Sequence, residues 1–331
     1  MKTPIASLSI AARVTLDMHS LNNEGGEGNQ IQTRMVDIVD HLGELHNVNA
    51  ISGDMLKHVL MEHFYQQARA QHLALCKGCE RFNVNRINFD EAFLKSASKK
   101  DFVFIDETLQ ACAMDDVAGF LVTEGRSTPR KSVSEFGWVL GIPGKVRTDS
   151  YFHVKYAPER GEEKRNQDAE DQKSGANRGQ NIFHRPASSG IYAIVCHLEL
   201  ARIGYNDIKQ DYAINEIERQ HRASVLLESL LYTFIELNGA MRSTQLPHLV
   251  EIKGVLTTST GAVPAPLISP LIGGSEDHHT YRQQVKEIAS ALNGSAGESV
   301  KVQNFDTISD FATQMRTIID SSSPFTLATT L

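Results

Sequence analysis

The chain of 331 residues carries 33 Lys and Arg against 40 Asp and Glu, a formal net charge of −7, with 41% hydrophobic and 22% charged residues. This is soluble globular composition, enough for one large domain with insertions or for two, and the negative balance counts against coating duplex DNA by bulk electrostatics. The N-terminal MKTPIASLSIAARVTLDMH has no long apolar run and no basic stretch ahead of one, so the expectation is a cytoplasmic protein without membrane contact; four scattered cysteines fit a reducing compartment and give no disulfide framework.

Ser7 to Leu16 alternates, with Leu8, Ile10, Ala12, Val14 and Leu16 on one face and Ser7, Ser9, Arg13 and Thr15 on the other. Period two predicts a half-buried strand whose polar face meets solvent or a ligand. The loop HSLNNEGGEGNQ follows, with Gly25, Gly26 and Gly28 permitting close backbone approach. Residues 30–45 read as strand or short helix. Ser52-Gly53-Asp54 starts a helix with Ser52 as N-cap and Leu56, Val59, Leu60 and Phe64 as its apolar stripe. Residues 70–118 form an insertion holding three of the four cysteines. Residues 119–155 are predicted β-rich, with turns near Gly125, Pro129, Gly141 and Gly144. Residues 157–182 are highly polar and predict a mobile loop or extended hairpin.

Ser189 to Leu200 is apolar on both faces and predicts a central strand. Residues 216–236 predict a helix with Val225, Leu226, Leu230, Phe234 and Ile235 inward, and Leu249 to Thr258 a further strand. Two helices close the chain near 278–292 and 307–320. The order β-α-β-β-α-β with insertions is the ferredoxin-like layout shared by RNA-recognition motifs, an α+β class that hosts many functions.

Charge is uneven. Between Gly119 and Lys155, Arg126, Arg130, Lys131, Lys145, Arg147 and Lys155 face only Glu124, Glu135 and Asp149. Between Gln172 and Arg185 there are Lys173, Arg178 and Arg185 and no acid. A single strand of nucleic acid held in a groove would draw on this middle region.

Five local runs, in order, resemble one family: Ser9 to Asp17 leading into Leu21-Asn22-Asn23-Glu24-Gly25; Ile51-Ser52-Gly53-Asp54-Met55-Leu56-Lys57-His58; Asp115-Asp116-Val117-Ala118-Gly119-Phe120-Leu121; Ser188-Ser189-Gly190-Ile191-Tyr192-Ala193 leading to Arg202-Ile203-Gly204; and Asn238-Gly239-Ala240-Met241-Arg242-Ser243 leading to Leu246-Pro247-His248. The chain is similar to the backbone subunits of the type I CRISPR Cascade complex, the Cas-seven or DevR family. The resemblance implies a ferredoxin-like (modified RRM) palm over 1–69 and 119–331, an inserted fingers region over 70–118, and a flexible thumb loop near 157–185. It implies a non-enzymatic subunit that polymerises along a CRISPR guide RNA and presents it for pairing with a target DNA strand. Its partners would be further copies of itself and other Cascade subunits: a Cas-five-type cap, a large subunit and a small subunit.

The candidate RNA-binding residues are Asn22, Asn23, Gln30, Ser52, Lys57, His58, Arg178, Gln180, Arg185, Arg242 and Ser243. Ser52, Lys57 and His58 open a helix whose free N–H groups favour phosphate; a capped surface helix is the plainer alternative. Asn22, Asn23 and Gln30 carry amides able to reach phosphate, ribose or base edges, although Glu24 and Glu27 oppose a plain phosphate cradle and an ordinary surface turn is the alternative. Arg242 and Ser243 follow Gly239, itself read as a helix C-cap. Arg178, Gln180, Arg185 and Lys173 belong to the thumb loop or to a solvated loop of no function, with Ile182 and Phe183 as candidate wedges against a displaced base.

Cys76-x-x-Cys79 and Cys112-x-x-Asp115 share a two-residue gap, the spacing of a zinc site with an oxygen ligand in fourth place; His72 is the other candidate for that place. A structural zinc and buried free thiols both fit, and no cofactor is required. The thirteen histidines form no H-E-x-x-H pattern and no G-x-S-x-G run occurs. The loop between Met18 and Gln30 lacks the aspartate that related type III subunits use to cut RNA. A metal-dependent ribonuclease on the same fold and a DevR-type transcriptional autoregulator are the competing functional readings.

Overall fold

In the computed structural model, residues 2–22, 26–27, 30–156, 180–271, 280–294 and 297–328 are described. Strands β1 (Ser7–His19), β2 (Met35–Val39), β3 (Leu45–Ile51), β4 (Val139–Tyr156), β5 (Gln180–Leu198), β6 (His248–Ser259) and β7 (Val300–Phe305) form the main path of a sheet in the order β7-β6-β1-β5-β4-β3-β2. Every pairing along this path is antiparallel. The short strand Ser134–Phe136 also pairs with β5.

One face of the sheet carries helices α1 (Gly53–Ala70), α2 (Glu216–Ile235) and α4 (Ile308–Ser321), and the other carries α3 (Tyr281–Asn293). Leu8, Ile10, Ala12, Val14 and Leu16 of β1 enter the larger core with Leu56, Leu60 and Phe64 of α1. Each of the Leu, Ile, Val and Phe side chains removed from water contributes about 1.5–3 kcal/mol. The Phe311 ring packs tilted against both Phe234 and Phe305 at 5.1 Å centroid distances and so holds α2, β7 and α4 together.

The polar face of β1 departs from the half-buried expectation. Ser7 and Ser9 are buried. Ala11 packs with Val255, Tyr281 and Val285, because α3 and the segment before it cover this side. Ser9 Oγ donates to the Ala265 carbonyl at 3.1 Å, and Arg13 Nε donates to the Pro270 carbonyl at 2.9 Å.

Residues 30–45 resolve into strand: Gln30–Ile31, then the β2–β3 hairpin. Pro129 lies inside the short strand Thr128–Arg130 and not in a turn, and Gly141 and Gly144 lie within β4, where its register with β5 shifts between Gly141 and Val146; only Gly125 lies outside a strand, between two short ones, with the positive φ of a turn, at 71°. Ile235, expected inward, is exposed at the helix end, and β7 had no counterpart in the sequence reading. The polar run 157–179 lies outside the described residues; β4 and β5 flank it as a long hairpin paired from Leu140↔Ala193 out to Tyr156↔Gln180. His278 and His279 are outside as well.

Residues 70–118 are short helices: Lys77–Glu80, Glu91–Ser96, Asp101–Ala111 and Ala113–Ala118. Their buried residues, among them Leu73, Ile87, Phe104 and Met114, belong to the same hydrophobic cluster as the sheet and α1. Asp116 anchors the segment. It is fully buried, and its carboxylate accepts from Arg130 at 2.8 Å, from Arg222 at 3.0 Å and from the Gly204 backbone N–H at 2.9 Å.

Candidate nucleic-acid interface

The exit of β1, the start of α1 and the loop after α2 meet in one cleft of about 910 Å³. The first segment supplies Leu21 and Asn22, the second Ser52, Asp54, Met55 and His58, and the third Glu236, Asn238, Gly239, Ala240 and Arg242. Local bonding explains the convergence. Asn22 Nδ2 donates to the Ala50 carbonyl at 2.6 Å, and the Ser52 N–H donates to Asn22 Oδ1 at 3.1 Å. The Ala240 N–H donates to the Leu21 carbonyl at 3.2 Å. At Gly239 an added Cβ would lie 2.4 Å from Leu21 Cδ2, so the loop crosses β1's exit only as glycine. This replaces the C-cap role expected of Gly239: α2 ends at Ile235 with Glu236 as its C-cap, in extended conformation.

Ser52 caps α1 as expected, its Oγ accepting from the Met55 N–H at 3.2 Å. Asn22, buried and bonded on both sides, is a positioning residue in the described chain. Arg242 lines the cleft and pairs with Glu236 at 2.5 Å, while Ser243 is exposed on the adjoining turn and lines neither cleft. Arg185, on β5, donates to Thr244 Oγ1 at 2.9 Å, and Gln245 Nε2 donates to the Pro186 carbonyl at 3.1 Å. These bonds tie the long hairpin to the loop that carries Arg242.

Lys57 faces a second, smaller cleft of about 270 Å³ on the other side of α1's first turns; Asp54 and His58 line both. Its floor is Met61, Phe82 and Met114, and Arg86 supplies a second cation. The His58 ring packs on Phe82 at 5.4 Å. Burial, and then the Arg86 guanidinium, hold the Lys57 ammonium below its ordinary range. Asp54 in the same cleft and Glu135 nearby partly offset this effect of the two cations.

Asn23, Lys173 and Arg178 lie outside the described residues, as do the side chains of Gln30, Gln180, Ile182 and Phe183. Two cleft residues escaped sequence reading. Arg34 lies between two short strands and sits over Trp138 at 5.4 Å from the ring centroid; nothing in its sequence surroundings marks it. Arg86 has a φ of 48° and reaches the second cleft only through the fold of the insertion.

The four residues read as metal ligands also come together. Cys76, Cys79, Cys112 and Asp115 are buried, and their ligand atoms all lie within 4.8 Å of one another; His72 is not among them. Burial pushes both the Cys112 thiol and the Asp115 carboxyl up from their ordinary values.

Residues 10–281 match the family model described as "CRISPR-associated negative auto-regulator DevR/Csa2". The chain belongs to the DevR/Csa2 family of CRISPR-associated proteins. It is 27% identical over 301 residues to a "CRISPR-associated protein Cas7/Cst2/DevR" of Methanocaldococcus jannaschii, covering 86% of this chain and 90% of that one. Its fold is similar to a chain of a solved "CRISPR RNA-guided surveillance complex, pre-nicking", with a TM-score of 0.50 and 11% identity, covering 96% of this DevR-family chain and 100% of the other. Among the described residues no helix is long and apolar enough to cross a membrane.

Proposed function

We propose that this DevR-family chain is a non-catalytic backbone subunit that binds CRISPR guide RNA and polymerises along it within a Cascade-type complex. The observation that carries the reading is the convergence of β1's exit, α1's start and the loop around Arg242 on one cleft, with the Lys57–Arg86 cleft on the other side of the same helix turns. Helix start, amides and cations are the groups that grip ribose-phosphate without reading base sequence.

The strand order supports a ferredoxin-like palm. Taking β1, Ser134–Phe136, β5 and β6 as strands one to four, the sheet runs four-one-three-two, with α1 and α2 as the two crossovers. The β4–β5 hairpin suits a thumb reaching toward the next copy. Tyr151, Phe152 and Val154 are exposed along it, and Phe152, edge-on to His184 at 6.0 Å, is the wedge candidate with a described side chain.

Sizing the purified protein before and after RNase tests the proposal. A large, nucleic-acid-rich species that collapses to single copies supports it. A species whose size and absorbance ratio ignore RNase overturns it. Two controls address the rivals: labelled RNA with divalent metal, where cuts at regular spacing would reveal a ribonuclease, and a gel shift on duplex DNA, where tight sequence-specific binding would favour an autoregulator.

A further inference from the structure

We propose that Cys76, Cys79, Cys112 and Asp115 bind a structural zinc ion that fixes the insertion against α1. The four residues come from two turns of the same design. Cys76 precedes one turn, and its sulfur accepts the Cys79 N–H at 3.4 Å. Cys112 precedes the other, and its sulfur accepts the Asp115 N–H at 3.4 Å. Each turn therefore presents its first and fourth residues on one side, and the Ala113 N–H to Ala74 carbonyl bond at 2.8 Å locks the turns face to face.

The donor geometry fits a tetrahedral ion. Zinc–sulfur arms of about 2.3 Å give ligand-to-ligand edges of about 3.8 Å. Asp115 Oδ2 lies 3.2 Å from Cys76 Sγ and 3.6 Å from Cys79 Sγ, and no pair among the four ligand atoms exceeds 4.8 Å. Three thiolates and one carboxylate are soft enough to exclude magnesium and calcium, and four protein ligands leave no open position, the mark of a structural site. Relative exposure is 5% for Cys76 and 0% for the other three, so solvent does not complete the shell.

The neighbouring aspartates sharpen the argument. Asp116 is buried and neutralised by two arginines. Asp115 is equally buried, yet among the described residues no Lys, Arg or His nitrogen lies within ion-pair distance of it. Its Oδ1 takes only the Ile87 N–H at 3.5 Å, and its Oδ2 faces thiols, which are weak donors. A buried carboxylate so poorly partnered is costly, and a cation among the sulfurs supplies the missing partner. The loop that follows the first turn is shaped for the same purpose. A Cβ at Gly78 would lie 2.0 Å from the Arg86 carbonyl oxygen, and the Arg86 guanidinium donates to the Gly119 carbonyl beyond the second turn. Arg86 thus brings positive charge beside a site whose four anionic ligands exceed the charge of the ion.

The same loop carries Phe82 and Arg86, and the second turn carries Met114, all into the smaller cleft. Zinc would hold that wall in place. This consequence rests on the RNA-binding reading above, whereas the metal site itself does not.

The test is metal analysis of the reduced, full-length protein purified without chelator. The expected result is about one zinc per chain, released stoichiometrically when a mercurial reagent modifies the thiols. Cobalt(II) added in place of zinc should give tetrahedral bands with thiolate charge transfer. Asp115→Asn should lose the metal to a chelator concentration that leaves the parent loaded, and Asp115→Cys should retain it with a cobalt spectrum shifted toward four sulfurs. Zinc-free protein in which all four cysteines titrate as free thiols after denaturation, with no uptake of zinc or cobalt, would overturn the proposal, as would a Cys76–Cys79 disulfide found by mass. Zinc present with unchanged guide-RNA affinity after its removal would leave the site standing and sink the link to the cleft.

Discussion

The backbone N–H of Ser52 donates to the side-chain oxygen of Asn22 across 3.1 Å, joining the exit of the first long strand to the cap of α1. Asn22 also donates to Ala50, so one amide fixes both sides of the turn that opens the larger cleft. Asn22→Ala leaves the Ser52 N–H and the Ala50 carbonyl without this partner. The expected cost is about 1–3 kcal/mol in urea unfolding, with RNA affinity reduced through displacement of the helix start. A variant as stable as the parent would show that the amide does not organise the cleft.

Asp116 predicts a larger loss. Replacing it with Asn leaves Arg130 and Arg222 buried without a full counter-charge, at a cost of about 3–5 kcal/mol. Chemical denaturation measures this directly. The change should destabilise the whole chain cooperatively, because Asp116 joins the insertion, Gly204 and α2.

Lys57 and Arg242 predict changes in salt dependence. If each neutralises one phosphate of a single strand, Lys57→Ala and Arg242→Ala should each lower the slope of log affinity against log salt by about 0.7, with little change in base preference. Fluorescence anisotropy on labelled RNA across a salt series reads this. Lys57 should show the larger effect on affinity, since Arg242 begins paired with Glu236. An unchanged slope in both variants would remove these residues from the interface.

His19 predicts a pH dependence of stability. It is 3% exposed and packs edge-on against Tyr192 at 5.0 Å, and neither ring nitrogen has a hydrogen-bond partner among the described residues. Burial pulls its pKa down to about 4 from the ordinary 6.5. The unfolded chain therefore takes up this proton first. The contribution is intact above pH 6.5 and is lost as pH falls from there toward 4, to a total of about 3 kcal/mol. Comparing His19→Phe with the parent by thermal melts across that window checks it; identical slopes would show that the ring is not the titrating group.

Much of the cleft was readable in the sequence because its parts carry local signals: Ser52 announces a helix cap and Leu56 to Phe64 its buried stripe. Outside the cleft, the shared spacing of Cys76–Cys79 and Cys112–Asp115 pointed to a cluster that the fold does bring together. Arg34 and Arg86 were not readable, because each enters a cleft only through partners far away in the chain. Gly239 was misread for the same reason: its constraint is the passage of Leu21, more than two hundred positions earlier.

Pattern and spacing alone located β1, α1, α2 and the core of β5 and β6, since period and capping are local properties of the chain. They also carried the family likeness. Tertiary structure alone decided that β1's polar face is covered, that three separated segments share one cleft, and that of two adjacent buried aspartates one meets arginines and the other thiols. Those outcomes depend on which surfaces meet after the chain has closed loops of many residues, and no short stretch of sequence contains that information.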